Sequence, residues 1–187
     1  MLELGCAGGE QYDASGWAEA DYTGVDFSAG MLQHFRDRHP HARVLLRDAE
    51  TYLDETRQFD LIVSNSVVQY FDRNMYRRHL ANARRMIAPD GVLLCGEVRW
   101  KALLVQRLIA DVRYVREHQP GAGIATLVRA LYDEVFRTTS YRISELHHLA
   151  AEAGFSCKVF GSLNAAGTLD VCMRPIGAAS GVRVQSG

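Results

Sequence analysis

No apolar run in the chain approaches the ~20 residues that a membrane-crossing helix requires, so neither a span nor a membrane partner is expected. Cysteine is sparse: four residues in 187, at Cys6, Cys95, Cys157 and Cys172, without a CxxC pair or a Cys/His cluster at metal-ligand spacing. A disulfide framework and a zinc module are thereby excluded; the cysteines read as reduced thiols in apolar segments, and no metal site is expected. An excess of one charge is also missing, since 21 Lys and Arg face 22 Asp and Glu for a net charge of −1. Nothing electrostatic therefore advertises nucleic acid as a partner. No basic stretch precedes the first apolar segment, so no signal peptide is read and a cytoplasmic location is expected. Proline is confined to positions 40, 89, 120 and 175, between the patterned segments.

What is present is an ordinary globular composition, 48% hydrophobic and 23% charged, at a length that suits one domain. Short apolar runs alternate with helical patterns. Strands are expected at Leu2–Gly5, Tyr22–Asp26, Val44–Arg47, Asp60–Ser64 and Val92–Glu97, the last a continuous apolar run of the buried parallel kind. A weak helix fills Gly9–Ala20. A cleaner one begins at its N-cap Ser28 and repeats Met31, Leu32 and Phe35 at helical spacing. A basic amphipathic helix covers Asp72–Ile87, with Met75, Leu80, Met86 and Ile87 as its apolar members, and Pro89-Asp90-Gly91 reads as a turn. Residues 99–138 form a helical insertion broken at Gln119–Gly123, and Ser144–Ala153 forms a short helix closed by Gly154. Two final strands, Ser156–Phe160 and Thr168–Arg174, stand in hairpin relation, and a tail from Pro175 is expected to be disordered. The fold class is α/β: a doubly wound, Rossmann-like sheet of seven strands, mostly parallel with an antiparallel last strand.

Five polar or glycine-rich segments fall at the carboxyl ends of the expected parallel strands, where open α/β sheets bind ligands. In Met1-Leu2-Glu3-Leu4-Gly5-Cys6-Ala7-Gly8-Gly9 an apolar strand runs into a turn of small residues, which let backbone amides approach a ligand closely. Glu3, an acid ahead of the turn, disfavours phosphate and suits a ligand carrying an ammonium group. Asp26 follows about 20 residues later, where a carboxylate can accept hydrogen bonds from both hydroxyls of a ribose. Asp48 is placed to accept from an exocyclic adenine amine, or else to cap the next short helix. Asn65 and Ser66 end the fourth strand, and Glu97 the fifth. Singly, each segment reads equally as a tight turn or a helix cap; together they are in register at the spacing of successive βα units.

The run Leu2-Glu3-Leu4-Gly5-Cys6-Ala7-Gly8-Gly9 resembles the first motif of the class I S-adenosylmethionine-dependent methyltransferases, with Ala7 where that pattern has glycine. Tyr22-Thr23-Gly24-Val25-Asp26-Phe27-Ser28 resembles the second motif, and Arg47-Asp48-Ala49 the adenine-contacting segment. Phe59–Phe71 is similar to the strand-four motif, and Ile87–Leu94 to the turn into strand five. The resemblance covers residues 2–98 and continues weakly to the final strand pair. Asn65–Phe71 with Gly96-Glu97-Val98-Arg99 is similar to methyltransferase domains of nonribosomal peptide synthetases and to free-standing enzymes that modify small metabolites.

The resemblance implies S-adenosyl-L-methionine as cofactor and a small-molecule substrate methylated at N, O or C. It implies a cofactor site of Glu3, Gly5, Ala7, Gly9, Asp26, Phe27, Met31, Asp48, Ala49, Asn65 and Ser66. Glu97 and Tyr70 are the candidate bases; a salt bridge to Arg99 is the plainer reading of Glu97. One domain over 1–174 is implied, with the insertion at 99–138 covering substrate through Trp100, Tyr114, Tyr132 and Phe136, or packing those residues inward. Arg99, Lys101, Arg107, Arg113, Arg116 and Arg129 either meet an acidic substrate or form a solvated face. The family places helices ahead of its first strand, so the N-terminal cover is expected to be missing here. The oligomeric state is open, a homodimer included. A cofactor-binding or partner-binding protein without catalysis is the alternative, and a nicotinamide-dependent oxidoreductase is disfavoured by Glu3 and by the lack of GxGxxG.

Overall fold

The computed structural model describes residues 1–103, 137–162, 165 and 167–177, with isolated helical positions at 105, 109, 112, 113, 117, 118, 125, 126, 128, 129 and 132. The strands are β1 (Leu2–Leu4), β2 (Thr23–Asp26), β3 (Arg43–Leu46), β4 (Phe59–Asn65), β5 (Ile87–Arg99), β6 (Phe155–Gly161) and β7 (Thr168–Pro175). Among the described residues the continuous helices are α1 (Glu10–Ala14), α2 (Ala29–Arg38), α3 (Arg73–Met86) and α4 (Ile143–Glu152). All seven strands join one sheet in the order β3-β2-β1-β4-β5-β7-β6. β1 pairs in parallel with β2 on one side and β4 on the other, while β7 runs antiparallel to both β5 and β6. The strand order thus reverses between β1 and β4, which opens a crevice at their carboxyl ends.

Burial follows strand position. β1 is central and every residue of it is buried, whereas β3 at the edge buries only Val44. The larger core packs Leu2, Leu4 and Ile62 of the sheet against Tyr76, Leu80, Ala83 and Met86 of α3 and Leu146, Leu149 and Ala150 of α4. These recur at helical spacing, so each helix turns one apolar stripe to the sheet. A smaller core of Cys6, Tyr12, Tyr22, Leu32, Phe35 and Val44 gathers α1 and α2.

Three local expectations are corrected. Gly9–Ala20 is no single helix: α1 lasts five residues, and Gly16, at φ 65°, leads into a 3-10 turn at Trp17–Glu19. Pro89-Asp90-Gly91 lies inside β5, where a register shift opposite Phe59 and Leu61 absorbs the extra residues. There is no room for a larger residue, because a Cβ on Gly91 would lie 3.0 Å from the Phe59 carbonyl. Pro175, placed in the tail by its composition, is the last residue of β7 opposite Phe155. The expected cap is present, with Ser28 Oγ accepting from the Met31 amide, and α3 is capped by Asp72 through the amides of Asn74 and Met75.

Of the insertion, Trp100 bridges to Tyr141 and Lys101–Leu103 form a 3-10 turn. Tyr114, Phe136, Arg107, Arg116 and the Gln119–Gly123 break lie outside the described residues, as do 178–187 of the tail.

Candidate cofactor site

Among the described residues, three other than glycine hold left-handed backbone: Ala7 (φ 44°), Ser66 (φ 56°) and Glu97 (φ 56°). They sit just past β1, just past β4 and near the end of β5. Such a conformation costs an L-residue about 1–3 kcal/mol and persists only where its surroundings hold it. Here they do. The Ala7 amide donates to Asp26 Oδ2 at 3.0 Å. The Ser66 amide donates to the Gly96 carbonyl at 3.1 Å, and the Ser66 hydroxyl donates to the Glu97 carboxylate. The Glu97 amide donates to Asp170 Oδ1 at 3.1 Å.

These strand ends border a cleft of about 570 Å³ lined by Gly5, Ala7, Asp26, Phe27, Asp48, Ala49, Asn65, Ser66, Val67, Tyr70, Phe71, Met75 and Arg137. Most of that wall is apolar, with Asp26 and Asp48 together on the side of the β2 and β3 ends. Gly5 is indispensable sterically: its φ is +83°, and a Cβ there would lie 2.2 Å from Val67 Cγ2. The Gly5 and Cys6 amides both donate to the Val25 carbonyl, at 2.7 and 3.0 Å, which locks the loop to β2.

Asp26 is 7% exposed. Its Oδ2 takes the Ala7 amide and its Oδ1 the Ser28 amide at 2.8 Å. An ionised carboxylate has about four acceptor positions, so two remain for a ligand in the cleft. Asp48 Oδ1 accepts from the Glu50 amide at 2.7 Å while its carbonyl accepts from Tyr52 at 2.9 Å. Asp48 therefore caps a turn and borders the cleft at once.

Nine expected site residues come together on this wall: Gly5, Ala7, Asp26, Phe27, Asp48, Ala49, Asn65, Ser66 and Tyr70. Four do not line it. Gly9, at φ 94°, caps α1 and packs so close to Phe35 that a Cβ would lie 3.1 Å from the ring. Met31 lies on α2, its amide engaged by the Ser28 cap. Glu97 does not line the cleft; its carboxylate accepts from the Ser66 hydroxyl.

Glu3 is the largest departure. It lies under the glycine loop at 2% exposure, its carboxylate accepting from the Tyr22 hydroxyl. Burial pushes the carboxyl up to about 7 against the pull of that hydrogen bond. Burial, reinforced by Glu3, also lifts the Cys6 thiol to about 12 and the Tyr22 phenol well above its ordinary value. The ammonium-binding role expected of Glu3 is not supported by this position.

Val67, Phe71, Met75 and Arg137 line the cleft without having been expected there. Arg137 arrives through the return of the insertion, where the Thr139 amide donates to the Gln69 carbonyl at 2.6 Å and Tyr141 Oη donates to the Phe71 carbonyl at 2.7 Å. His147 contacts Cys157 and His148 pairs with Glu152, both away from the cleft. All four cysteines are free thiols. Among the described residues no helix is long and apolar enough to cross a membrane, and no cluster of ligands could hold a metal.

Residues 1–91 match a family model described as a methyltransferase domain. The matched residues, 91 of 187, support a class I S-adenosylmethionine-dependent methyltransferase. Within curated proteins it is 31% identical over 138 residues to a probable nonribosomal peptide synthetase of Salinispora arenicola, covering 70% of this chain and 2% of that one. It is 34% identical over 95 residues to a malonyl-[acyl-carrier protein] O-methyltransferase of Salmonella typhimurium, covering 50% of this chain and 36% of that one. The chain thus spans little more than a third, at most, of these two relatives. A solved S-adenosylmethionine-dependent methyltransferase from Clostridium acetobutylicum shares the fold at a TM-score of 0.68 and 12% identity, covering 94% of this chain and 83% of that one. The family's cofactor is S-adenosylmethionine, and the cleft suits it: a carboxylate with two open acceptor positions, apolar walls, and a glycine where no Cβ fits.

Proposed function

We propose that this chain transfers a methyl group from S-adenosylmethionine to a small-molecule acceptor. The observation that carries the reading is Asp26, buried at the switch-point cleft and oriented by the Ala7 and Ser28 amides. The bound cofactor supplies an electrophilic methyl group on a sulfonium for in-line displacement. Asp26 accepts from the two ribose hydroxyls. Asp48 accepts from the adenine amine, and Ala49 and Phe27 border the base. Gly5 and Ala7 bring backbone close to the ligand, and Asn65 and Ser66 serve its amino-acid end. Val67, Phe71 and Met75 keep water from the reacting centre, where positioning and desolvation supply much of the rate.

Where the acceptor carries a proton, a base must take it. Tyr70 stands on the cleft wall at 61% exposure, and Glu97 is reached from the cleft through the Ser66 hydroxyl. Relatives named for a malonyl acyl carrier and for a nonribosomal peptide synthetase support a metabolite-type acceptor, methylated at N, O or C. Arg137 on the wall is compatible with an acidic one.

A second reading is cofactor binding without transfer. It is favoured by the placement of Glu97, whose carboxylate is engaged by Ser66 and does not line the cleft. Incubation with methyl-labelled cofactor and a panel of amines, hydroxy compounds and carboxylic acids separates the two. Acceptor-dependent labelling supports transfer; cofactor binding with no labelling across the panel supports the second reading.

A further inference from the structure

The cleft wall formed by Asp48 and Ala49 has little support of its own. It follows an edge strand and is only a turn, held internally by Asp48 accepting from Glu50 and Tyr52. Its external support comes from one side of α3. Arg78 Nε donates to Glu50 Oε1 at 2.5 Å, and Asn82 Nδ2 donates to the Glu50 carbonyl at 3.4 Å. Between them, His79 Nδ1 lies 2.9 Å from the Ala49 carbonyl and Nε2 lies 3.0 Å from Ser64 Oγ.

The Ala49 carbonyl can only accept, so Nδ1 of His79 carries a hydrogen. Burial lowers the basicity of the ring and so favours the neutral form, in which Nε2 accepts from the Ser64 hydroxyl. His79 and Ser64 are 1% and 0% exposed, inside an otherwise apolar core. A buried polar pair in such a place is costly unless every hydrogen bond is made, and here each is. The pair joins β4, which carries Asn65 and Ser66, to the turn that carries Asp48 and Ala49. It links two walls of one cleft from behind.

We infer that His79, with Ser64, Arg78 and Asn82, is a positioning group that fixes Asp48 and Ala49 for recognition of the cofactor's base, without itself touching the ligand. The inference rests on the cofactor reading of the cleft. It makes α3 part of the specificity machinery as well as a packed helix.

The test compares S-adenosylhomocysteine with S-inosylhomocysteine, which replaces the exocyclic amine by a carbonyl, in calorimetric titrations of the whole chain. Wild type prefers the adenosyl compound by about tenfold, the scale of one hydrogen bond to a charged acceptor. His79→Leu reduces that preference to below about threefold, with affinity for the inosyl compound nearly unchanged, and His79→Gln, whose amide can both donate and accept, restores most of it. Arg78→Met alters an exposed side chain, keeps the fold accessible if His79→Leu does not fold, and lowers the preference in the same direction. A purely structural role would instead weaken both ligands equally. Preference unchanged in Arg78→Met and His79→Leu, or absent from wild type that binds both compounds, overturns the positioning role. Failure of wild type to bind either compound overturns the cofactor reading itself.

Discussion

Asp26 ends β2 at the cleft and Glu3 lies in the middle of β1, and both carboxylates are nearly closed to solvent, at 7% and 2% exposure. Their surroundings differ in kind. Asp26 receives two backbone amides, from Ala7 and Ser28, and borders the cleft. Glu3 receives one phenol, with Cys6 close by, and burial raises its carboxyl to about 7. An acid at a strand's carboxyl end works at the crevice, while an acid within a central strand is sealed into the layer beneath. Proximity in a motif does not confer a shared role.

That contrast can be broken from several directions. Gly5→Ala should have the largest effect on stability, because the new Cβ meets Val67 in a backbone region that alanine tolerates poorly. The expected loss is about 2–4 kcal/mol by urea denaturation, partly recovered in combination with Val67→Ala. Glu3→Gln comes next, and it is selective for pH. The folded-state value near 7 exceeds the ordinary value of 4.5, so the unfolded chain releases its proton first as pH rises. The contribution of Glu3 is fully present below 4.5 and is lost as pH rises through about 7. Thermal melts should show that loss in wild type and a flatter profile in Glu3→Gln, which gains on the order of 2 kcal/mol at pH 8. Cofactor affinity should change by less than about threefold. Ala7→Gly should have the smallest effect: it relieves the left-handed backbone at φ 44° and stabilises by about 0.5–1 kcal/mol.

Much of the cleft is legible in the sequence because strand ends carry local signals. A short apolar run, a small-residue turn and an acid at the next strand's end locate Gly5, Ala7 and Asp26 without tertiary information. The same local reading misplaces Glu3, since alternation along β1 turns its side chain to the face opposite Leu2 and Leu4. Met31, implied by the resemblance alone, does not line the cleft; helical spacing groups it with Leu32 and Phe35 but does not say which side of α2 meets the cleft. Val67, Phe71, Met75 and Arg137 reach the wall through packing between distant segments, for which no local pattern exists. Pro89-Asp90-Gly91 has the composition of a turn, yet pairing with β4 draws it into β5 as an irregularity. His79 carries no motif at all, and only the fold brings it behind Ala49.

The central claim is that the cleft beside Asp26 holds S-adenosylmethionine while the acid beneath the loop does not. Calorimetric titration of S-adenosylhomocysteine into wild type, Asp26→Ala and Glu3→Gln tests it most directly. The account predicts binding to wild type, a loss of at least about tenfold in Asp26→Ala, and near-wild-type affinity in Glu3→Gln. Equal affinity in wild type and Asp26→Ala, or a loss confined to Glu3→Gln, would contradict it.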